Sequence, residues 1–179
     1  MTESTALELQ NEGLRLFQEG LYDEAARRFN EALEGFAAEG RELEAAEMLN
    51  NLGVIRRKQS RWEEALEASE ESRRIFVRLG DKSREAQALG NIGGLYASMN
   101  RREEALKAWR EAVMLFDELG DRQKQGDALL SVGVHLFKSG QRQEGLAAYQ
   151  AGLHLLDKPT PQQKITRFFL AVQARIFGY

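Results

Sequence analysis

Two histidines are the only side chains in this 179-residue chain that could supply imidazole for a metal ion or for proton transfer, and there is no cysteine. Neither His135 nor His154 has a glutamate three residues before it, so the Glu-x-x-His pair of di-iron helices is missing. The sequence also lacks the GxxxxGK[ST], GxGxxG and HExxH motifs. We therefore expect no catalytic residues, no cofactor and no metal, and we predict that the chain is not an enzyme.

Adjacent carboxylates recur in pairs every 40 residues, at Asp23-Glu24, Glu63-Glu64 and Glu103-Glu104. Neighbouring residues on a helix point in different directions, which does not suit a general acid/base pair. Acidic residues in a first helical turn do suit the positive end of the helix dipole. The pairs therefore indicate helix starts.

Primary amides share the same 40-residue spacing, at Asn11, Asn51 and Asn91. An asparagine side chain has two donors and one acceptor group, so a row of them can match the N–H and C=O groups of an extended backbone. The same recurrence is explained equally well if each asparagine bonds a neighbouring helix. The sequence leaves both interpretations open.

These spacings belong to an internal repeat, most evident in the glycine column Gly13, Gly53, Gly93 and Gly133. Apolar residues recur at helical spacing in two segments of each unit, and both prolines lie beyond residue 158. The predicted fold is an all-α, right-handed solenoid in one domain. Its four helix-turn-helix repeats lie at about 1–40, 41–80, 81–120 and 121–158.

Small or turn-forming residues separate the predicted helices. We expect breaks within the four units at Gly20, Ser60, Asn100 and Gly140. Between units, Gly80 and Gly120 are suited to a left-handed helix end, and the aspartate after each can cap the next helix. A glycine facing an alanine lets two helices approach closely, and stacked hairpins then bury their apolar faces together.

The third unit, with Gly93, Tyr96, Ala105, Trp109 and Ala112, resembles the tetratricopeptide repeat. The usual period of that family is about 34 residues. The longer period here, with the "NLG" and "LGD" strings, resembles the branch found in kinesin light chains and Pins-type adaptors. The resemblance implies a protein-interaction adaptor or scaffold whose first helices line a concave groove.

The resemblance places a partner-binding groove on one face of the first helices. Gln10, Gln87 and Asn91 replace the two lysines and the arginine with which chaperone-binding members hold a terminal carboxylate, so we predict no such clamp. The expected partner is a peptide or helical segment with apolar anchors and some acidic character. The candidate groove residues are Asn11, Leu14, Phe17, Asn50, Asn51, Val54, Arg57, Lys58, Asn91, Val134, Phe137 and Lys138.

The last stretch predicts a capping helix over 160–177, opened by Pro161. This segment is more apolar than a cap requires. An alternative function is therefore a self-assembling structural protein, forming a homodimer through this helix. The same side chains could instead tuck against the fourth repeat or meet a missing partner. The residues concerned are Phe168, Leu170, Phe177 and Tyr179.

Charge and hydropathy disfavour two classes of partner. The net charge is −3, with basic and acidic residues interspersed, so we expect no nucleic acid. Residues 1–40 carry nine acidic and three basic side chains, whereas residues 121–179 carry four and eight. No window approaches 18 apolar residues, so we expect no membrane span. The N-terminus lacks a signal-like pattern, which favours a cytoplasmic location.

Overall fold

The computed structural model describes residues 5–157 and 160–161, and this part of the chain is helical without strands. Its helices run in chain order as α1 (Ala6–Gln18), α2 (Tyr22–Ala38), α3 (Glu42–Lys58), α4 (Trp62–Leu79), α5 (Lys82–Ser98), α6 (Arg102–Glu118), α7 (Arg122–Lys138) and α8 (Arg142–Leu155).

The helix starts confirm the 40-residue repeat and the all-α prediction. First helices α3, α5 and α7 begin 40 residues apart, as do second helices α2, α4, α6 and α8. The predicted turn residues all have positive φ, at 79° for Gly20, 60° for Ser60, 59° for Asn100 and 91° for Gly140. The left-handed conformation is thus kept even where the residue is not glycine.

Helix ends follow the local signals in the sequence. Gly80 ends α4 in the left-handed conformation, with φ of 71°. Asp81 then caps α5 by accepting a 2.9 Å hydrogen bond from the backbone N–H of Arg84. Asp121 caps α7 in the same way, through the backbone N–H of Lys124 at 3.0 Å. The carboxylate pairs lie in the first turns of α2, α4 and α6.

The chain divides into two compact units, and the first comprises Met1–Asn100 with helices α1 to α5. Its core includes Phe29, Phe36 and Met48, all nearly inaccessible to solvent. The glycine column allows the close contacts: a methyl group added at Gly13 would lie 2.7 Å from the Phe29 ring. One added at Gly53 would overlap the hydroxyl of Ser69 on α4.

The second unit comprises Arg101–Tyr179, and its described helices are α6, α7 and α8. Helices α7 and α8 pack backbone to backbone, because a methyl group at Gly133 would lie 2.7 Å from the Tyr149 nitrogen and 2.8 Å from the Gly145 carbonyl oxygen. Leu136 and Leu153 are buried in this unit. The predicted capping helix over 160–177 lies outside the described residues except for its first two positions.

Candidate functional site

The first helices α3 and α5 border a polar cavity of about 450 Å³ in the first unit. The α3 face supplies Glu47, Asn50 and Asn51, at positions three and four residues apart, which a helix places on one side. From α5 come Ser83, Arg84 and Gln87. We call the set Asn50, Asn51, Gln87 and Asn91 the amide face.

The asparagines of the amide face are not equivalent. Asn91 Nδ2 donates a 3.0 Å hydrogen bond to Asn50 Oδ1, so α5 and α3 are joined by two half-buried amides. For Asn91, the structure therefore shows a bond to the neighbouring helix. Asn51 is half-buried and lines the cavity, and its side-chain amide forms no hydrogen bond with any described residue. The side-chain donors and acceptor of Asn51 are therefore uncommitted within the described part of the chain.

Two residues that line the cavity, Glu47 and Arg84, belong to an ion network. Arg84 lies 2.5 Å from Glu47 and 2.6 Å from Asp81, so one guanidinium serves both carboxylates. The side-chain hydrogen bond to Asp81, with another to Glu47, raises the pKa of Arg84. Burial opposes the shift at Asp81, but backbone and side-chain hydrogen bonds from Arg84 hold the pKa of Asp81 below its usual value. The charge of Arg84 is therefore already balanced within the chain.

Arg57 has no such partner. Its guanidinium lies against α5 at Gly94, where an added methyl group would overlap Nη1. Every other arginine between residues 5 and 100 lies within 4.0 Å of a described carboxylate, whereas Arg57 has none. The exposed Lys58 follows it on α3. The end of α3 therefore presents positive charge that the described part of the chain does not neutralise.

The remaining predicted groove residues of this unit differ in accessibility. Asn11 and Leu14 are exposed on α1. Phe17 is half-buried, because it packs against the core, and its ring centroid lies 5.7 Å from that of Tyr22. Val54 is half-buried on α3. Leu14 is thus a more accessible apolar contact than Phe17.

In the second unit, three predicted groove residues lie near the end of α7. Val134 and Phe137 are 41% and 53% exposed, so both apolar side chains are accessible. The guanidinium of Arg142 lies 6.0 Å from the centre of the Phe137 ring, and Lys138 is exposed beside it. The proposed self-association residues Phe168, Leu170, Phe177 and Tyr179 lie outside the described residues.

Both histidines contact backbone carbonyl groups. His135 Nε2 lies 3.0 Å from the Arg102 carbonyl oxygen, and its ring meets Trp109 edge-on with centroids 5.3 Å apart. His154 Nδ1 lies 3.1 Å from the Gln150 carbonyl oxygen. Within 5–157 and 160–161, no three His, Asp or Glu side chains cluster as a metal site would require. In the same ranges, no helix is both long and apolar enough to cross a bilayer.

Sequence reasoning placed Glu47, the asparagines, Arg57 and Lys58 on this face, but it missed Ser83 and Arg84 as residues around the cavity. The signal that could have identified Arg84 is its position three residues after the capping Asp81, because a side chain at that spacing can bond the capping carboxylate. The partner carboxylate at Glu47 is 37 residues away in sequence and carried no local signal.

Many solved structures share this fold, including the following two. The crystal structure of BtubC (BKLC) from P. vanneervenii is 22% identical, with a TM-score of 0.76 over 87% of this chain and 66% of that one. Aspartyl phosphate phosphatase F from Bacillus subtilis is 13% identical, with a TM-score of 0.81 over 86% of this chain and 41% of that one. At these identities the likeness concerns the fold alone, and this chain spans less than two thirds of either protein.

A comparison with curated protein sequences gave no match. A family model described as tetratricopeptide repeat matches residues 44–118, which span α3 to α6 except for the first two residues of α3. The repeat columns, the paired helices and both structural neighbours agree with that match. Residues 44–118 therefore match the tetratricopeptide repeat, and helices α2, α7 and α8 outside that range continue the same 40-residue spacing.

Proposed function

We propose that this chain is a non-catalytic protein-interaction module that holds a polypeptide segment of a partner against the amide face of its first unit. The observation that carries the proposal is the free amide of Asn51 at a polar cavity of about 450 Å³. A polar side chain without a partner, beside space for a ligand, is suited to a backbone N–H and C=O of another chain.

Some amides of the amide face are hydrogen-bonded within the chain, and one is not. The Asn50–Asn91 bond fixes one pair of amides across α3 and α5. Gln87 donates from Nε2 to the Ser83 carbonyl oxygen at 3.1 Å, which orients its side chain along α5. The side-chain amide of Asn51, which bonds no described residue, is then available to the partner. Such a division favours recognition of backbone by Asn51, with selectivity provided by side chains around it.

Other accessible side chains of the first unit give the partner segment further contacts in this proposal. Leu14 is exposed on α1 and suited to an apolar anchor. Arg57 and Lys58 suit an acidic residue.

The test is a binding measurement with Asn51→Ala. The wild-type full chain would first be used to select linear peptides from a displayed random library, and a selected peptide would then be titrated by calorimetry. Loss of two hydrogen bonds of about 1 kcal/mol each should weaken binding about tenfold or more. The thermal unfolding of the variant should match wild type, because the Asn51 amide bonds no described residue.

Asn30→Ala is the matched control, since Asn30 is an exposed asparagine on the second helix α2 whose side chain bonds the Ala26 carbonyl oxygen. It should leave affinity unchanged. Equal affinities for wild type and Asn51→Ala would refute recognition at the amide face. Failure of the wild-type chain to select any peptide would refute the proposed function as a whole.

A further inference from the structure

We propose that Arg57 selects an acidic side chain, Asp or Glu, in the bound segment, an inference that rests on the proposed function and names the chemistry of its partner. The selective group is the Arg57 guanidinium, which lies beside Gly94 on α5. The occupant follows from charge complementarity: a half-buried guanidinium without a carboxylate partner in the described chain can form a charge-assisted hydrogen bond with an acidic side chain of the partner.

The contrast with Arg84 assigns the role to Arg57. Both arginines project from first helices of the same unit. Arg84 is held by Glu47 and Asp81, so an incoming carboxylate would have to compete with two carboxylates already within 2.6 Å. Arg57 has no carboxylate within 4.0 Å among the described residues. An acidic side chain of the partner should therefore gain more binding free energy at Arg57 than at Arg84.

Gly94 gives Arg57 its position. Without a side chain at Gly94, the guanidinium can lie close to α5, where an added Cβ would overlap Nη1. A half-buried, laterally supported guanidinium has lost part of its conformational freedom before binding, so less is lost when a ligand arrives. Its planar fork also matches the two oxygens of a carboxylate.

The experiment uses the full chain and pairs of synthetic peptides derived from a library-selected sequence, identical except for Glu or Gln at each acidic position. Wild type should prefer one Glu peptide by about tenfold or more, since charge-assisted hydrogen bonds are the stronger class. Arg57→Gln should abolish this preference while still binding the Gln peptide as wild type does. Arg74→Gln is the matched control, because Arg74 is exposed on α4 and paired with Glu71.

Gly94→Ala tests the position of the group separately from its charge. The added methyl group displaces the guanidinium but keeps it ionised, so the Glu preference should fall without a change in net charge. A wild type that binds peptides with no Glu preference, or an Arg57→Gln variant that retains it, would overturn the assignment and leave peptide binding intact. Loss of all peptide binding in Arg57→Gln would also contradict it, because the amide face is unchanged in that variant.

Discussion

Two serines one turn apart on α4 offer a controlled measurement of a buried hydroxyl. Ser69 and Ser72 are both fully buried. Ser72 Oγ donates a 2.8 Å hydrogen bond to the Ala46 carbonyl oxygen on α3, whereas Ser69 Oγ has no partner in the described chain. The same substitution, to alanine, should therefore change stability in opposite directions.

The expected magnitudes follow from these contacts. An unpaired buried polar group costs about 1–3 kcal/mol, and a satisfied hydrogen bond contributes about 1 kcal/mol net. Ser69→Ala removes an unpaired buried hydroxyl, so it should raise the free energy of unfolding by about 1 kcal/mol after a small loss of packing. Ser72→Ala removes a satisfied hydrogen bond, so it should lower the free energy of unfolding by about 1 kcal/mol. The helix-propensity gain of alanine is common to both variants, so the difference between them should be about 2 kcal/mol.

Urea unfolding of the full chain, followed by far-ultraviolet circular dichroism, measures that difference. The slope of free energy against urea should be alike in the two variants, since both remove one oxygen atom from the same helix. If Ser69→Ala is less stable than wild type, the hydroxyl has a partner and the reasoning is wrong. Equal stabilities of the two variants would show that the Ser72 bond contributes nothing measurable.

Two further predictions concern glycine positions and an aspartate cap. Gly133→Ala should lower the free energy of unfolding by several kcal/mol, because its methyl group meets the Tyr149 backbone. Gly90→Ala has open space around the added methyl group and should raise that free energy by up to about 1 kcal/mol. Thermal unfolding of the two variants compares these effects. Although burial opposes the shift, hydrogen bonds from Arg84 hold the pKa of Asp81 below its usual value, so its stabilising contribution is present above the ordinary Asp pKa and is lost as the pH falls through the lower folded pKa. Asp81→Asn keeps a capping acceptor but removes the charge paired with Arg84. Its stability should therefore fall less steeply than that of wild type on acidification below about pH 5. The same dependence of stability on pH in both proteins would contradict this.

The repeat and its helices could be predicted because their causes are local or periodic. Gly20 and Gly140 mark turns by type, and Ser60 and Asn100 do so by standing in the same column. All four adopt positive φ. The glycine column at Gly53 required only the argument that two helices need a small residue where they cross.

The partners of the long polar side chains could not be predicted in the same way. Asn91 pairs with Asn50, one position away from its own column, because the offset between α3 and α5 decides which amides meet. Arg57 and Arg84 are both arginines on first helices, yet one is saturated and the other is not. Such choices depend on a few ångströms of lateral placement, which composition and period do not encode.

The contact between Arg57 and Gly94 has a consequence for how this array can be rearranged. The column of Gly94 holds leucine at 14 and valine at 54 and 134, and the column of Arg57 holds phenylalanine at 17 and 137 and alanine at 97. In the second and third repeats, the long side chain of Arg57 therefore faces a residue without a side chain, Gly94. If the second repeat were duplicated in tandem, Arg57 of the first copy would face the residue equivalent to Val54 in the second copy. The contact therefore requires the third repeat to follow the second. Shuffling the repeats, or replacing them with a consensus repeat, would remove it, because one residue of the contact comes from each repeat.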